Sequence, residues 1–361
     1  MNAKLVEDIA NTVLYEGYML YPYRPSSVKN RQRWNFGVLY PKAYSEKQSG
    51  SDNWFQQTEC LATGSASTVL SIKVRFLQAV ARTIGELRAP LDAMPIGNGK
   101  EPDFKIIETL RIGDQLLQPW QEATEREVAL PPFRLAGSHP RKRSSVFAFP
   151  GGREVEPVRG ADGRIAAFIV RTKEAITGQV DVAAQHVGDG LFKITVRILN
   201  TFVAGHFGSG NQSSTSRDEA LMQSLLSAHT ILGVDDGQFV SLLDPPASLK
   251  ELVSGCSNVG TFPVLAGEEG QRDGMLSSPI ILYDYPQIAP ESAGDLFDGT
   301  EIDEILALRI LTLTDDEKHE MRNADERVRQ ILDRTEAMPI EHFVKLHGVL
   351  RGLRSTDEEK Q

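Results

Sequence analysis

The spacing of hydrophobic residues changes along the chain, and these changes predict which segments form helices and which form strands. Apolar residues recur at helical spacing over residues 3–16, and Gly17 follows as a natural stop, so an amphipathic helix is predicted there. From Thr68 to Phe76, apolar and polar residues alternate strictly. This alternation is typical of a half-buried strand.

The segments around this strand give weaker patterns. The stretch "RWNFGVLYP", residues 33–41, predicts a short strand, and the polar residues 44–53 predict a loop or a hairpin tip. Residues 85–103 are rich in Gly, Pro and Asn and predict a loop. A further extended segment is expected over residues 104–117.

The clearest sheet signal lies between residues 164 and 200. Three apolar-rich segments, "RIAAFIVRT", "GQVDVAAQH" and "GLFKITVRILN", are separated by turn chemistry at Thr177-Gly178 and at "VGDG". Glycine supplies the positive φ angles that such turns require. The pattern predicts an antiparallel meander with one face in contact with water.

Helices are predicted again after the meander. Ser216 and Glu219 have the spacing of a capping box, and Thr314 and Glu317 form a second one. Residues 301–353 read as nearly continuous helix in three or four pieces. One face of the helix that starts after Ser216 would carry Leu221, Leu225, Leu226 and His229.

The order of these elements predicts the fold class. Strands are segregated from helices, which favours an α+β fold over a parallel doubly wound sheet. We expect a central antiparallel β-sheet meander with an N-terminal helix and a C-terminal helical segment. Residues 1–275 would form the α+β core, and residues 276–361 a strand and helices packed on it, or the two would be one continuous domain.

One segment near the amino terminus has an unusual composition, combining aromatic and basic side chains. We call residues 18–34 the aromatic-basic segment. It can be a structural corner, a docking surface for another protein, or a grip on single-stranded nucleic acid, because Tyr, Trp and Arg serve all three uses. The candidate partner-binding residues are Tyr18, Tyr21, Tyr23, Arg24, Lys29, Arg31, Arg33 and Trp34.

A second candidate site is the glycine-rich stretch "GHFGSGNQSS", residues 205–214. Backbone amides of Gly208 and Gly210, with Ser216, would form a weak anion site before a helix. The stretch lacks the Lys-Ser/Thr ending of a P-loop, and a flexible surface loop is the alternative. The basic run at residues 139–145 can bind phosphate or an acidic partner, or can be solvated loop.

Charge and targeting signals narrow the class of protein. The formal net charge is −10, which argues against a dedicated nucleic-acid-binding protein. Residues 278–361 carry 19 acidic and 10 basic side chains, so this acidic end is either solvated surface or a dock for a basic partner. No signal peptide and no apolar stretch of membrane-spanning length is present, so a cytoplasmic protein without a membrane span is expected.

The residues offer no decisive chemistry. The chain has seven histidines and two cysteines but no CxxC, no HExxH and no GxSxG, so neither a metal site, a cofactor nor a catalytic set is predicted. Cys60 and Cys256 would be ordinary semi-buried cysteines or, if they meet, a reducible pair or a transient metal-handling site. The acidic residues 295–304 fit a helix entry better than a Ca²⁺ loop.

Three stretches carry a resemblance to a known family. They are "LYEGYMLYPYRPSSVKNRQRWNFGVLYP", "STSRDEALMQSLLSAHTILGVDDGQFVSLLDPP" and the long stretch from Met275 to Met338 that begins "MLSSPIILYDYPQIAPES". Together they resemble a family of bacterial proteins encoded near nickel-iron uptake hydrogenase gene clusters. The resemblance implies a cytoplasmic accessory factor acting on hydrogenase subunits during maturation or assembly, and it carries no catalytic residues over.

Two functions are therefore expected as alternatives. The first is a non-enzymatic accessory or assembly factor that binds another protein, such as a nickel-iron hydrogenase subunit or a maturation factor. A large core, an aromatic-basic segment and an acidic end suit a binding scaffold. The second is an enzyme, a hydrolase or transferase, acting on a small anionic ligand near residues 205–216.

Overall fold

The computed structural model describes most of the chain. The described residues are 2–16, 18, 34–49, 51–94, 102–113, 115–135, 141–203, 216–287, 310–324, 326–337 and 339.

The described part of the chain contains six α-helices, and we number them in chain order. The helices are α1 (Ala3–Leu14), α2 (Lys42–Lys47), α3 (Arg217–Met222), α4 (Lys250–Ser254), α5 (Asp315–Arg322) and α6 (Glu326–Glu336). A short 3₁₀ helix, Ala247–Leu249, precedes α4.

Fourteen strands account for most of the remaining structure in the described residues. They are β1 (Phe55–Leu91), β2 (Lys105–Ile107), β3 (Leu110–Ile112), β4 (Gln115–Leu117), β5 (Trp120–Ala129), β6 (Phe133–Arg134), β7 (Arg141–Phe149), β8 (Gly152–Arg159), β9 (Ile165–Lys173), β10 (Ile176–Gly188), β11 (Leu191–Asn200), β12 (Leu226–Phe239), β13 (Phe262–Leu265) and β14 (Gly274–Ser278). Twelve of them form one antiparallel sheet, while β3 and β4 form a separate pair.

The 37-residue strand β1 organises the large sheet. Its first part pairs with β11 on one side and β12 on the other, and its last part pairs with β9. Strands β2, β5 and β6 also pair with it. Two register shifts against β12, between Gly64 and Val69 and between Arg75 and Leu77, locally increase twist as bulges do. The alternation predicted for Thr68 to Phe76 is confirmed as part of this strand.

The predicted meander is correct at one turn and wrong at the other. Strands β10 and β11 form the expected hairpin around "VGDG". At Thr177-Gly178, however, the chain makes no turn. The pairing of β8 with β9, in which Gly152 faces Lys173, has the same register as the pairing of β7 with β10, in which Phe149 faces Ile176. Strands β9 and β10 therefore follow one another without a tight turn, β9 lying between β8 and β1 and β10 between β7 and β11. The lack of a side chain at Gly178 serves packing.

The main core lies inside the curved sheet. Alternate residues of β1, β10, β11 and β12 point into it, including Phe76, Val180, Ile194 and Leu232, all less than 2% exposed. Apolar burial of this extent is the main stabilising contribution to folding. The interior also contains hydrogen-bonded polar side chains, among them Ser277, whose hydroxyl lies 2.7 Å from those of Thr58 and Thr261.

The helices cover the outer face of the sheet at both ends of the chain. Helix α1 packs Val6, Ile9 and Val13 against Ile231 of β12 and Leu276 of β14. Helices α5 and α6 pack against the end of α1 and the middle of β1 in a second cluster. The α+β class, with a mostly antiparallel sheet and helices at both ends, is confirmed.

Several local predictions were wrong. Helix α2 includes residues 44–47, where a loop was predicted, and residues 85–91, also predicted as loop, continue β1. The strand predicted for residues 33–41 is reduced to one bridge between Leu39 and Leu225. The helix after Ser216 ends at Met222, and the residues that follow form the buried strand β12.

The proposed boundary between residues 275 and 276 falls inside β14, which pairs with both β12 and β13. This strand joins the two predicted parts through one sheet. The division of the chain into two units stays a prediction.

Gly178 illustrates how closely the sheet packs, and it provides a test. A Cβ at this position would lie 2.2 Å from Cζ of Phe147, whose ring covers the glycine. Gly178→Ala should lower the free energy of unfolding by about 1–3 kcal/mol, because overpacking forces the ring to move. Gly188→Ala, whose nearest contact would be 3.7 Å from Leu191, should be neutral or slightly stabilising. Urea unfolding of both variants measures the difference, and equal values would contradict this packing.

Candidate functional site

The two ends of the aromatic-basic segment are fixed in the core. Tyr18 is 3% exposed and Trp34 is 4% exposed, and their ring centroids lie 5.2 Å apart in an edge-to-face arrangement. Both were predicted to contact a partner, and in the structure both contact the interior of this chain. Their burial makes them anchors, because edge-to-face pairs add stability beyond the area they bury. The other six predicted residues lie outside the described residues.

Trp34 has an unusual backbone conformation. Its φ angle is 61°, in the left-handed region that side chains other than glycine rarely adopt. The indole N–H donates to Oε1 of Gln121 at 2.9 Å, which ties the residue to β5. Such strained residues persist where the surroundings determine the conformation, and they are common at functional sites.

A polar cluster around Glu125 joins α1, β5 and α6 beside these anchors. Its carboxylate accepts hydrogen bonds from the hydroxyl of Tyr15 at 2.9 Å, from Arg327 at 2.6 Å and from Arg75 at 3.1 Å. The Arg327 guanidinium also lies 3.6 Å from the centroid of the Tyr15 ring. Burial raises the pKa of Tyr15 well above its usual value, so the hydroxyl remains a donor at neutral pH.

The structure accounts for Ser216 without a ligand. Its hydroxyl accepts a hydrogen bond from the backbone N–H of Glu219 at 3.2 Å, and its own N–H donates to that side chain at 2.8 Å. The predicted capping box is therefore confirmed. Gly208 and Gly210 lie outside the described residues, and the anion site proposed for them stays a prediction.

Arg217 follows the second candidate segment in the sequence and contacts Trp34, the last residue of the aromatic-basic segment. Its guanidinium donates to the backbone carbonyl of Trp34 at 3.2 Å and to Oδ1 of Asn35 at 3.3 Å. A pocket of about 250 Å³ opens here, and its walls include Tyr40 and Asp52 as well as Arg217. We call it the junction pocket. Burial raises the pKa of Tyr40, and Arg217 partly opposes this effect.

The cysteines show no sign of activation. Cys60 is fully buried and Cys256 is half-buried, and burial raises the pKa of both thiols. A raised pKa keeps a thiol protonated and unreactive at neutral pH. Among the described residues, no group of three or more His, Cys, Asp or Glu side chains could hold a metal ion. No helix in the same residues is long and apolar enough to cross a membrane.

An ionic cluster on the sheet was not predicted from the sequence. Arg82 of β1, Glu122 of β5 and Arg171 of β9 come together, with Nε of Arg171 2.6 Å from the Glu122 carboxylate. The sequence does contain a sign of it, because Arg82 lies between Val80 and Ile84 at a position where strand alternation places a buried side chain. A charged residue in a buried phase predicts paired charges at that position.

Comparison with known proteins leaves the family of the chain open. No protein-family model and no curated protein sequence matches it. A solved structure to which the chain is similar is the Salmonella SPI-1 type III secretion injectisome secretin InvG (residues 176 to the end) in the open gate state. The two are 10% identical over 75% of this chain and 76% of the other, with a TM-score of 0.12. A score this low carries no argument, and the hydrogenase association stays a prediction.

Proposed function

We propose that this protein is a non-enzymatic accessory factor that binds another protein through the aromatic-basic segment. The observation that carries this proposal is the anchoring of that segment at both ends. Tyr18 and Trp34 are buried side by side, so the fifteen residues between them begin and end at one place on the protein. Fixing the ends of a binding segment lowers the entropy that is lost when a partner binds.

The chemistry of this segment indicates the kind of partner. Between the anchors lie Tyr21, Tyr23 and four basic residues, and the same stretch contains no Asp or Glu. Tyr and Arg are the residues most often found at energetically important positions of protein interfaces. The partner would therefore present an acidic surface, and the family resemblance suggests a nickel-iron hydrogenase subunit or a maturation protein.

An enzyme acting on a small anionic ligand near residues 205–216 is the second candidate. One observation favours it, since Arg217 lines the junction pocket directly after that segment. Another weakens it, since the hydroxyl of Ser216 already accepts a hydrogen bond within the helix cap. The binding function is the better supported of the two.

The proposal is tested by recovery of partners from the source cells. Tagged wild-type protein is compared with Tyr21→Ala/Arg24→Ala and with a matched control, Tyr283→Ala/Arg134→Ala, which changes exposed residues of the same types elsewhere. We expect at least tenfold lower recovery with the first variant, because loss of two important contacts costs about 2 kcal/mol or more. The control should recover as much as wild type, and equal recovery by all three proteins would refute the proposal.

A further inference from the structure

A charged cleft of about 460 Å³ lies between the α5–α6 turn and the strands beneath it. Five arginines line it. Arg82 and Arg171 form its floor on β1 and β9, and Arg322, Arg327 and Arg329 form its roof. Three carboxylates line it as well, Glu122, Glu156 and Glu326. We call it the arginine cleft, and among its described lining residues the arginines outnumber the carboxylates by five to three.

The floor of the arginine cleft is held in a fixed position. Arg82 is 7% exposed, and it donates to the backbone carbonyls of Ala324 at 2.5 Å and Gln118 at 3.0 Å. Arg171 binds Glu122 through Nε and also contacts Glu156 at 2.5 Å. These partly buried contacts hold two guanidinium groups in place before any ligand arrives.

The roof is built differently, because its ion pairs are exposed to solvent. The side chains of Arg322, Arg327 and Arg329 are 42%, 41% and 50% exposed. They pair with Glu336, Glu125 and Glu326, respectively. Exposed pairs of this kind contribute only about 0–1 kcal/mol each. An incoming anion can therefore replace them at little cost.

The arrangement selects for a ligand with several carboxylates. Guanidinium groups bind carboxylates in a planar, two-bonded geometry, and three of them sit on one side of a space large enough for a few residues of peptide. Tyr18, the first residue of the aromatic-basic segment, also lines the cleft. The net charge of −10 disfavours a nucleic acid as the ligand, since such long polyanions require a broadly basic surface.

We infer that the arginine cleft binds an acidic segment of a protein partner. This inference rests on the proposed binding function and adds the chemistry of the partner. The floor positions the segment through the fixed charges of Arg82 and Arg171. The roof arginines exchange their own exposed carboxylates for those of the partner.

The test uses the purified full-length protein and a fluorescein-labelled peptide of alternating Glu and Asp, followed by fluorescence anisotropy. We expect saturable binding that weakens when salt rises from 50 to 200 mM, because screening reduces the attraction between charges. Arg322→Gln/Arg329→Gln should bind at least tenfold more weakly. Arg134→Gln/Arg159→Gln, which removes two exposed arginines elsewhere, should bind like wild type.

Three results would overturn the inference. The first is absence of peptide binding by wild type, and the second is equal binding by both double variants. The third is displacement of the peptide by inorganic phosphate that supplies the same concentration of negative charge as the peptide, which would indicate a small-anion site. Both variants must show the wild-type urea midpoint, so that loss of binding reports on the cleft. Failure here is distinct from failure of the proposed function, because Tyr21→Ala/Arg24→Ala leaves the cleft arginines in place.

Discussion

Arg82→Ala is expected to cost about 3 kcal/mol of unfolding free energy and to loosen the C-terminal helices before the sheet. The side chain is buried, and its guanidinium holds the carbonyls of Asn323 and Ala324 at the end of α5. A cation at this end of a helix also interacts favourably with the helix dipole. Removing Arg82 takes a donor from the carbonyls of Gln118, Asn323 and Ala324 and leaves Glu122 with Arg171 as its cationic partner, which together costs several kcal/mol.

The measurement is urea unfolding combined with hydrogen exchange. Exchange should accelerate first in α5 and α6, while β12 keeps its protection, because the lost contacts connect the helices to β1. Arg88→Ala removes an exposed arginine from the same strand and should change stability by no more than about 0.5 kcal/mol. Equal effects of the two substitutions would show that Arg82 does not secure the helices.

The second large effect is a loss of stability in acid caused by His229. This residue is fully buried, with Nδ1 3.0 Å from the carbonyl oxygen of Ser227. In the described part of the chain, Nε2 has no hydrogen-bond partner. Burial lowers the pKa of His229 to about 4, with Arg75 acting in the same direction, while the bond to Ser227 and the charge of Glu125 oppose the shift.

The folded pKa lies below the unfolded value of 6.5, so the unfolded chain takes up the proton first. The stabilising contribution is complete above pH 6.5 and is lost as the pH falls toward 4. At pH 5 the loss should be about 2 kcal/mol, since each unit of pKa difference corresponds to about 1.4 kcal/mol.

His229→Asn tests this assignment, because asparagine can still donate to Ser227 but cannot gain a proton. We expect the variant to lose about 2 kcal/mol less than wild type between pH 7.5 and pH 5, measured by urea unfolding at both values. His186→Asn, at an exposed position of β10, should follow wild type. If His229→Asn shows the wild-type slope, another group is responsible for the acid sensitivity.

His229 also shows where sequence patterns stop being informative. The capping box at Ser216 and Glu219 was predicted correctly, yet the helix it starts has only six residues. The apolar run after it was assigned to the same helix, whereas Leu226 to Val234 are all buried in β12. A continuous apolar run fits a fully buried strand and a buried helix equally well, so periodicity alone cannot decide between them.

The candidate site could be predicted only in part, because the sequence does not show which side chains are buried or which distant residues meet. Composition identified Tyr18 and Trp34 as unusual, but it cannot tell whether an aromatic side chain faces a partner or the core. The arginine cleft depends on contacts between Arg82, Glu122 and Arg171. Glu122 is 40 residues from Arg82 and 49 residues from Arg171 in the sequence. Only the pairing of β1 with β5 and β9 brings these charges together, and no local motif encodes that pairing.

The length of β1 has a consequence for biosynthesis. Its last residue is Leu91, but its partner β12 ends at Phe239, so almost 150 further residues must be translated before the pair can be completed. At about 5–20 residues per second, this interval lasts roughly 7–30 s. Until then, the part of β1 that pairs with β12, from Ala62 to Leu77, lacks that partner, and its unpaired amide and carbonyl groups can pair with neighbouring chains. A chaperone at the ribosome exit would protect it during this period.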